Sequence, residues 1–327
     1  MVQIHIPPSL SPPTPPAAGI LFALGGGVIL SVNDLAIKAL SGDYALHQVI
    51  LIRAFVGMAI VLSLMAYSRR GFAQIRTGRW REHLLRVGIV MVSNVTYFLG
   101  LSALPLADAV ATAFISPLLI TMMSALVLRE YVGPRRWAAV AVGMLGVLVM
   151  VRPGSGVIQP AAILVLISAF CYASSNLMTR QMRDTESAAT LSFYVQVGFI
   201  VVSSAMGLWV GDGHLAQSDG VLVFLFRPWV LPPLQDWWAF AATGGAVGVG
   251  GLMMSQAYRT TEAALVAPFE YIGMPMAIFW GVVVFGTWPD HHAWVGIALI
   301  CGAGLYTLWR ETVHKKQVDV AAPSGDI

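Results

Sequence analysis

Asp34, Lys38, Arg53 and Glu270 are ionisable side chains set inside long apolar runs: GILFALGGGVILSVNDLAIKAL holds the first two, ALHQVILIRAFVGMAIVL holds Arg53 and ALVAPFEYIGMPMAIFW holds Glu270. Burying such a group at bilayer depth costs on the order of 3 kcal/mol, so each needs a reason. Lys38 lies one helical turn beyond Asp34 on the same face, and Arg53 enters the next run at similar depth, so the three can form a compact cluster. That cluster can tie two helices as an ion pair, receive a charged group, or gate one mouth of a bundle. Glu270 and Tyr271 stand between Pro268 and Pro275. Each proline removes a backbone donor and frees the carbonyl four residues back, which predicts a bent helix whose polar backbone faces a cavity and not lipid. A carboxyl there can exchange protons, hold an ammonium group, or hydrogen-bond a neighbouring helix.

Amides and hydroxyls recur at matching depths: Asn94 and Tyr97 near Ser93, Tyr172 and Asn176 beside Ser175, Tyr194 near Gln196, and Gln256 beside Ser255, with Ser116 on its own. Aromatic faces with a few amides suit a planar or amphipathic organic molecule better than an inorganic ion. A single serine can equally make a local helix bond. The candidate substrate contacts are therefore Asp34, Arg53, Asn94, Tyr97, Tyr172, Asn176, Gln256, Glu270 and Tyr271. No metal or cofactor is expected. The seven histidines fall in loops, tails or span ends, and Cys171 and Cys301 sit in apolar runs as small core residues. The glycine run GGAVGVGG at 244–251 reads as a packing face and carries no G-x-x-x-x-G-K-[ST] phosphate loop. No nucleophile elbow is present, and no enzyme activity is expected.

Elements that hold such residues must lie in lipid. The 327 residues are 57% apolar and 11% charged, against about 25% charge in a soluble domain, and the mean hydropathy is +0.75. Ten apolar stretches follow one another: 18–40, 46–67, 83–104, 107–128, 137–152, 160–180, 188–210, 235–258, 263–286 and 293–309. Each is near the ~20 residues that a ~30 Å hydrocarbon core demands. They are apolar on every face, which predicts helices and not barrel strands. The first 17 residues carry six prolines and no Lys or Arg, so they read as a loose tail and not as the basic start of a signal peptide.

With that tail inside, fifteen of the nineteen basic residues fall on the inner side, and only Lys38, Arg53, Arg152 and Arg227 fall outside it. Both termini are therefore expected in the cytoplasm. The loop SRRGFAQIRTGRWRE reads as a topology signal and headgroup contact, and it is too short to present a nucleic-acid surface. The long break 211–234, GDGHLAQSDGVLVFLFRPWVLPP, is expected on the outer side, as an interfacial segment with Trp229 at headgroup level or as an external lid.

The halves repeat. At an offset of 154, ALPLADAVATA (103–113) meets AYRTTEAALVA (257–267), and at an offset of 143 SVND (31–34) meets SSNL (174–177), setting Asn33 against Asn176. Spans one to five thus pair with six to ten, and an odd number per half makes the repeat inverted. The expected fold is an all-α polytopic membrane protein with ten transmembrane helices in two inverted five-helix repeats: a tail at 1–17, repeat one at 18–152, repeat two at 160–310 and a second cytoplasmic tail at 311–327.

The stretches FISPLLITMMSALVLREYVGPRRWAAVAVGMLGVLVMVRP and APFEYIGMPMAIFWGVVVFGTWPDHHAWVGIALICGAGLYTLW, each following an Ala-rich span start, resemble the drug/metabolite transporter superfamily, EamA-type, over nearly all of 18–310. SVND and APFEY are similar to its branch of S-adenosylmethionine or riboflavin transporters. Glu130 stands before Trp137 as the family pattern expects, whereas Thr287 takes the acidic position in the second repeat. The resemblance implies a secondary transporter that moves a small organic metabolite, such as an amino acid, S-adenosylmethionine or riboflavin, across the inner plasma membrane by alternating access. Its partners are then the substrate and the lipid bilayer, with no nucleic acid, proton coupling is left open, and the chain works as a monomer or homodimer. A channel and an intramembrane enzyme are the rival readings.

Overall fold

The computed structural model describes residues 16–68, 71–127, 133–151, 160–216, 219–261 and 263–321. The proline-rich stretch before residue 16, Glu130, Arg152 and Glu262 lie outside them. Among the described residues the regular structure is entirely helical. The order is α1 (Pro16–Leu40), α2 (Leu46–Tyr67), α3 (Trp80–Ala103), α4 (Leu106–Ala113), α5 (Ser116–Val127), α6 (Pro134–Val151), α7 (Pro160–Gln181), α8 (Ala188–Val210), α9 (Val223–Phe226), α10 (Trp237–Thr260), α11 (Ala263–Val266), α12 (Gly273–Phe285) and α13 (His291–Ala321).

Among the described residues, seven helical stretches are long and apolar enough to cross a bilayer: Ala18–Leu40, Leu46–Tyr67, Trp80–Ala103, Leu106–Val127, Pro160–Gln181, Ala188–Val210 and Leu234–Thr260. Trp137–Gly146, Phe269–Phe285 and His291–Ala303 are shorter apolar helices. Proline opens α6 and α7, where its missing donor costs nothing. The Ser187 hydroxyl caps α8 by accepting from the Thr190 amide at 3.1 Å. Gly286, in the left-handed region at φ 64°, ends α12. Large apolar side chains such as Phe55, Leu84, Val201, Leu208 and Val283 point out of the bundle, the distribution that lipid and not water selects.

Two of these stretches are broken. α4 and α5 part at Phe114–Ile115, because Pro117 has no N–H for the Ala113 carbonyl. Between α11 and α12 the backbone tightens to a 3₁₀ helix, Ala267–Ile272, where Pro275 likewise leaves the Tyr271 carbonyl without its helical donor. The second break matches the bend expected from the prolines around Glu270.

Packing joins α1 to α10, α3 to α7 and α6 to α13, and sets α2 between α8 and α10. The glycine run works as the packing face expected of it. A Cβ on Gly244 would lie 2.5 Å from Val56, one on Gly248 3.1 Å from the Gly57 backbone and one on Gly250 2.9 Å from Leu30, so bare backbone lets α10 press on α2 and α1. α13 runs on to Ala321, past the stretch that ends the apolar sequence.

The 211–234 break is tied down as a strap. Gln48 on α2 pairs with the Val230 backbone twice, donating to its carbonyl at 2.5 Å and accepting from its amide at 3.2 Å. The Trp229 indole donates to His47 Nδ1 at 3.1 Å, and Gly207 leaves room for its ring. Arg227 donates to the Ser41 carbonyl at 2.8 Å, and Tyr44 donates to Asp236. Burial and the neighbouring Asp236 carboxylate push the Tyr44 hydroxyl up to about 12.

Candidate functional site

A cavity of about 220 Å³ lies within the bundle. Its walls come from faces repeating at three and four residues: Gly27, Leu30, Ser31 and Asp34 on α1, Ser93, Asn94 and Tyr97 on α3, and Ser168 and Tyr172 on α7. Met254 on α10 closes one side. Phe114 and Ser116 come from the first break and Glu270 and Gly273 from the second. The breaks also meet each other. The Tyr271 hydroxyl donates to the Phe114 carbonyl at 3.3 Å, and the two rings lie 5.3 Å apart. The second break thus satisfies a backbone carbonyl that the first exposes.

At one end of the cavity, Glu270 is 8% exposed and accepts from the Tyr258 hydroxyl. Tyr172 supplies the second hydroxyl acting on it. Both partners are neutral. Asn176, one turn from Tyr172 on α7, is buried and its Nδ2 has no hydrogen-bond partner.

Asp34 is served differently. Its Oδ2 accepts from the Tyr97 hydroxyl at 2.9 Å and its Oδ1 from Asn33 Nδ2 at 3.2 Å. Asn33 Oδ1 in turn accepts from Arg53 Nη1 at 3.1 Å and from the Thr243 hydroxyl at 2.5 Å. Arg53 Nη2 donates to Asn94 Oδ1 at 2.7 Å. The carboxylate and the guanidinium thus act on each other through an amide and share no direct bond.

The structure corrects several expectations. Asp34, Lys38 and Arg53 do not form one compact cluster. Lys38 turns away and donates to the Leu101 and Leu104 carbonyls at 2.9 and 2.6 Å, because the C-terminal end of α3 offers acceptors that would otherwise lack donors. Arg53 is 1% exposed and stands behind the wall, outside the cavity lining. Tyr271 points at Phe114 and not into the cavity. Gln256 misses it too, because Met254 and Tyr258 are four residues apart on the inward face of α10 and Gln256 lies between them in sequence. Tyr194, near the start of α8, donates to the Ile75 carbonyl at 2.8 Å and is not in the cavity lining. Asp34, Asn94, Tyr97, Tyr172 and Glu270 do come together on one cavity, with Asn176 adjoining it. Asn33 and Tyr258 are the residues missed. The four-residue step from Met254 was the signal for Tyr258, and the amide preceding Asp34 was the signal for Asn33.

Two histidines at span ends are also buried. His47 is 1% and His83 2% exposed, and His83 Nε2, in the first turn of α3, stands 3.4 Å from Oε2 of Glu186, just before α8.

Bundle and cavity together define a class: a multi-pass helical membrane protein that encloses a mostly apolar space with a few polar side chains on its wall. Comparison with known proteins narrows it. The model of the EamA-like transporter family matches residues 17–152 and again 159–309, and the chain belongs to that family. A riboflavin transporter of Rhizobium johnstonii is 28% identical over 305 residues, 93% of this chain and 95% of the relative. An S-adenosylmethionine uptake transporter of Rickettsia prowazekii is 23% identical, covering 90% and 93%. A pseudopaline exporter of Pseudomonas aeruginosa is 26% identical, covering 86% and 93%. A solved crystal structure superposes with a TM-score of 0.68 at 19% identity, covering 90% of this chain and 99% of its own, and it shows the fold.

Proposed function

We propose that the protein is a secondary transporter of the bacterial inner membrane that carries a small organic metabolite by alternating access, with the central cavity as its substrate site. The observation that carries the reading is Glu270: a buried carboxyl on the cavity wall whose partners are hydroxyls. Ionised, it leaves a charge without a counter-charge inside the bundle, which a proton or a substrate ammonium compensates. Asp34, Asn94, Tyr97 and Tyr172 are the other substrate contacts, and Asn176 Nδ2 offers a free donor beside them.

Ten spans in two inverted repeats, 18–152 and 160–310, make the machinery. Two features support that division. The family model matches twice, and the packing exchanges under it: pairing the halves turns the α1–α10 contact into the α7–α3 contact and sets the break before α5 opposite the break before α12. Similar halves of opposite orientation have two nearly equivalent packings, open to one side or the other of a site between them. The excess of basic residues puts both termini in the cytoplasm.

Purified protein in liposomes tests the carrier. Saturable flux with counterflow of unlabelled against labelled substrate is the expected result. Non-saturating ionic current favours a channel, and chemical turnover of the substrate an intramembrane enzyme; either overturns the reading.

A further inference from the structure

Two carboxylates, Asp34 and Glu270, line the cavity, and among the described residues no lysine or arginine does. Two cations stand close, and both are held away. The Lys38 ammonium is fixed on two backbone carbonyls. Arg53 is held more tightly: its guanidinium carbon lies 4.9 Å from the centroid of Phe98 and 5.1 Å from that of Phe199, and its two terminal nitrogens donate to Asn33 and Asn94. Both asparagines line the cavity. They therefore present amides where the guanidinium would otherwise stand.

We infer that the cavity selects by charge, accepting flat organic molecules that are neutral or cationic and rejecting their anionic analogues, and that Arg53 is a positioning residue that enforces this by being locked behind Asn33 and Asn94. An anionic group entering the cavity gives up its water beside two carboxylates and finds no cationic donor in exchange. Like charges in a site of low polarity repel strongly, so discrimination arises from repulsion more than from any added contact. The aromatic walls from Tyr97, Phe98, Phe114 and Tyr172 give a flat ring its surface whatever its charge. The asparagines also fix which amide edge faces Asp34: since each Oδ1 is taken by Arg53, Asn33 turns its Nδ2 to Asp34.

The inference rests on the cavity being the substrate site, and it is tested by binding, separately from flux. Ring-matched pairs differing by charge are the probes: riboflavin against riboflavin 5′-phosphate, and adenosine against adenosine 5′-phosphate, the second member of each being the anion. Equilibrium binding to the purified full chain should favour the less anionic member of at least one pair by about tenfold or more. Equal affinity within both pairs, preference for the phosphate ester, or no binding by any of the four overturns it. Failure of flux with the charge order intact would instead sink the carrier reading alone. Phe199→Leu removes one of the two rings that hold the guanidinium, and Thr243→Val removes a donor that fixes Asn33 beside it; neither residue is in the cavity lining. Each should reduce discrimination within the favoured pair about tenfold while the affinity of the uncharged or cationic member moves far less. A merely structural role would weaken both members alike, and that result in the folded variants refutes the positioning role of Arg53.

Discussion

Replacing Glu270 with glutamine preserves the shape of the side chain and its ability to accept from Tyr258, and removes only the charge. The structural loss is small. A hydrogen bond to an ionised group contributes about 1.5–3 kcal/mol and one between neutral groups about 0.5–1.5 kcal/mol, so the Tyr258 contact weakens by roughly 1 kcal/mol. Glu270→Gln should therefore insert and fold near wild-type yield. The functional loss is larger, because truncating one partner of a buried charge pair costs about 2–5 kcal/mol, a fall of about 30-fold or more in transport efficiency at 1.4 kcal/mol per decade. Two liposome assays, each normalised to folded protein, separate the roles. If the carboxyl binds a substrate ammonium, gradient-driven uptake and substrate counterflow both collapse. If it carries the proton, uptake loses its response to pH while counterflow survives. Glu270→Leu, which leaves the Tyr258 and Tyr172 hydroxyls without their acceptor, should lower folded yield as well. Near-normal transport by the Gln variant in both assays across pH would refute any role for Glu270 in the site.

Topology and packing give further tests. A cysteine placed at Arg76 should be protected from an impermeant thiol reagent added outside, whereas one placed at Asp236, beside the strap, should react; labelling at 76 would reverse the orientation. Gly248→Val sets a side chain against Ile60 and the Gly57 backbone, so α10 must shift from α2, and overpacking of this kind costs about 1–3 kcal/mol. Its Tm in detergent should fall below that of Gly245→Val, where a Cβ meets nothing within 4 Å, and equal values would show that the stripe does not set the helix spacing.

Periodicity and hydropathy made the helices legible, since each apolar run had one physical solution in lipid. They also located Asp34 and Glu270, because an ionisable group inside such a run stands out by its cost. Register was harder. Gln256 and Tyr258 are two residues apart, about 200° around a helix, and only the packing of α10 on α1 decides that Met254 and Tyr258 face inward. The break before α5 was written in Pro117, but a proline late in an apolar run can kink a helix or merely tilt it, and the choice made here depends on Tyr271 arriving from another helix to meet the Phe114 carbonyl. Arg53 shows a different limit. Its depth and charge were visible, yet whether it faces a cavity or stands behind two amides depends on Asn33 and Asn94 reaching it from α1 and α3. The strap was visible as a break too short to span, while the Gln48 and His47 contacts that fasten it join residues about 180 positions apart.

The proposed pairing of the halves places unlike chemistry at like positions. At the offset that sets Asn33 against Asn176, Arg53 falls on Gln196, and at the offset that pairs 113 with 267, Ser116 falls on Glu270. In the first half the amide is fully engaged: Asn33 serves Arg53, Thr243 and Asp34 at once. In the second half the corresponding groups are unmet, for Asn176 Nδ2 and Gln196 Oε1 are buried without hydrogen-bond partners. A buried donor and acceptor left open cost free energy in the empty protein and recover it when something binds, whereas a saturated hub has nothing to offer a ligand. The two asparagines should therefore respond oppositely to leucine. Asn33→Leu leaves a buried guanidinium short of an acceptor, a loss of about 1.5–3 kcal/mol for a hydrogen bond to a charged group, and should reduce folded protein. Asn176→Leu removes a donor that has no partner in the bundle, so folded yield should hold while substrate affinity falls, as read by thermal shift with ligand. Lower yield from the second variant, with affinity unchanged in what folds, would mean that Asn176 supports the helices and that the open half of the site lies elsewhere.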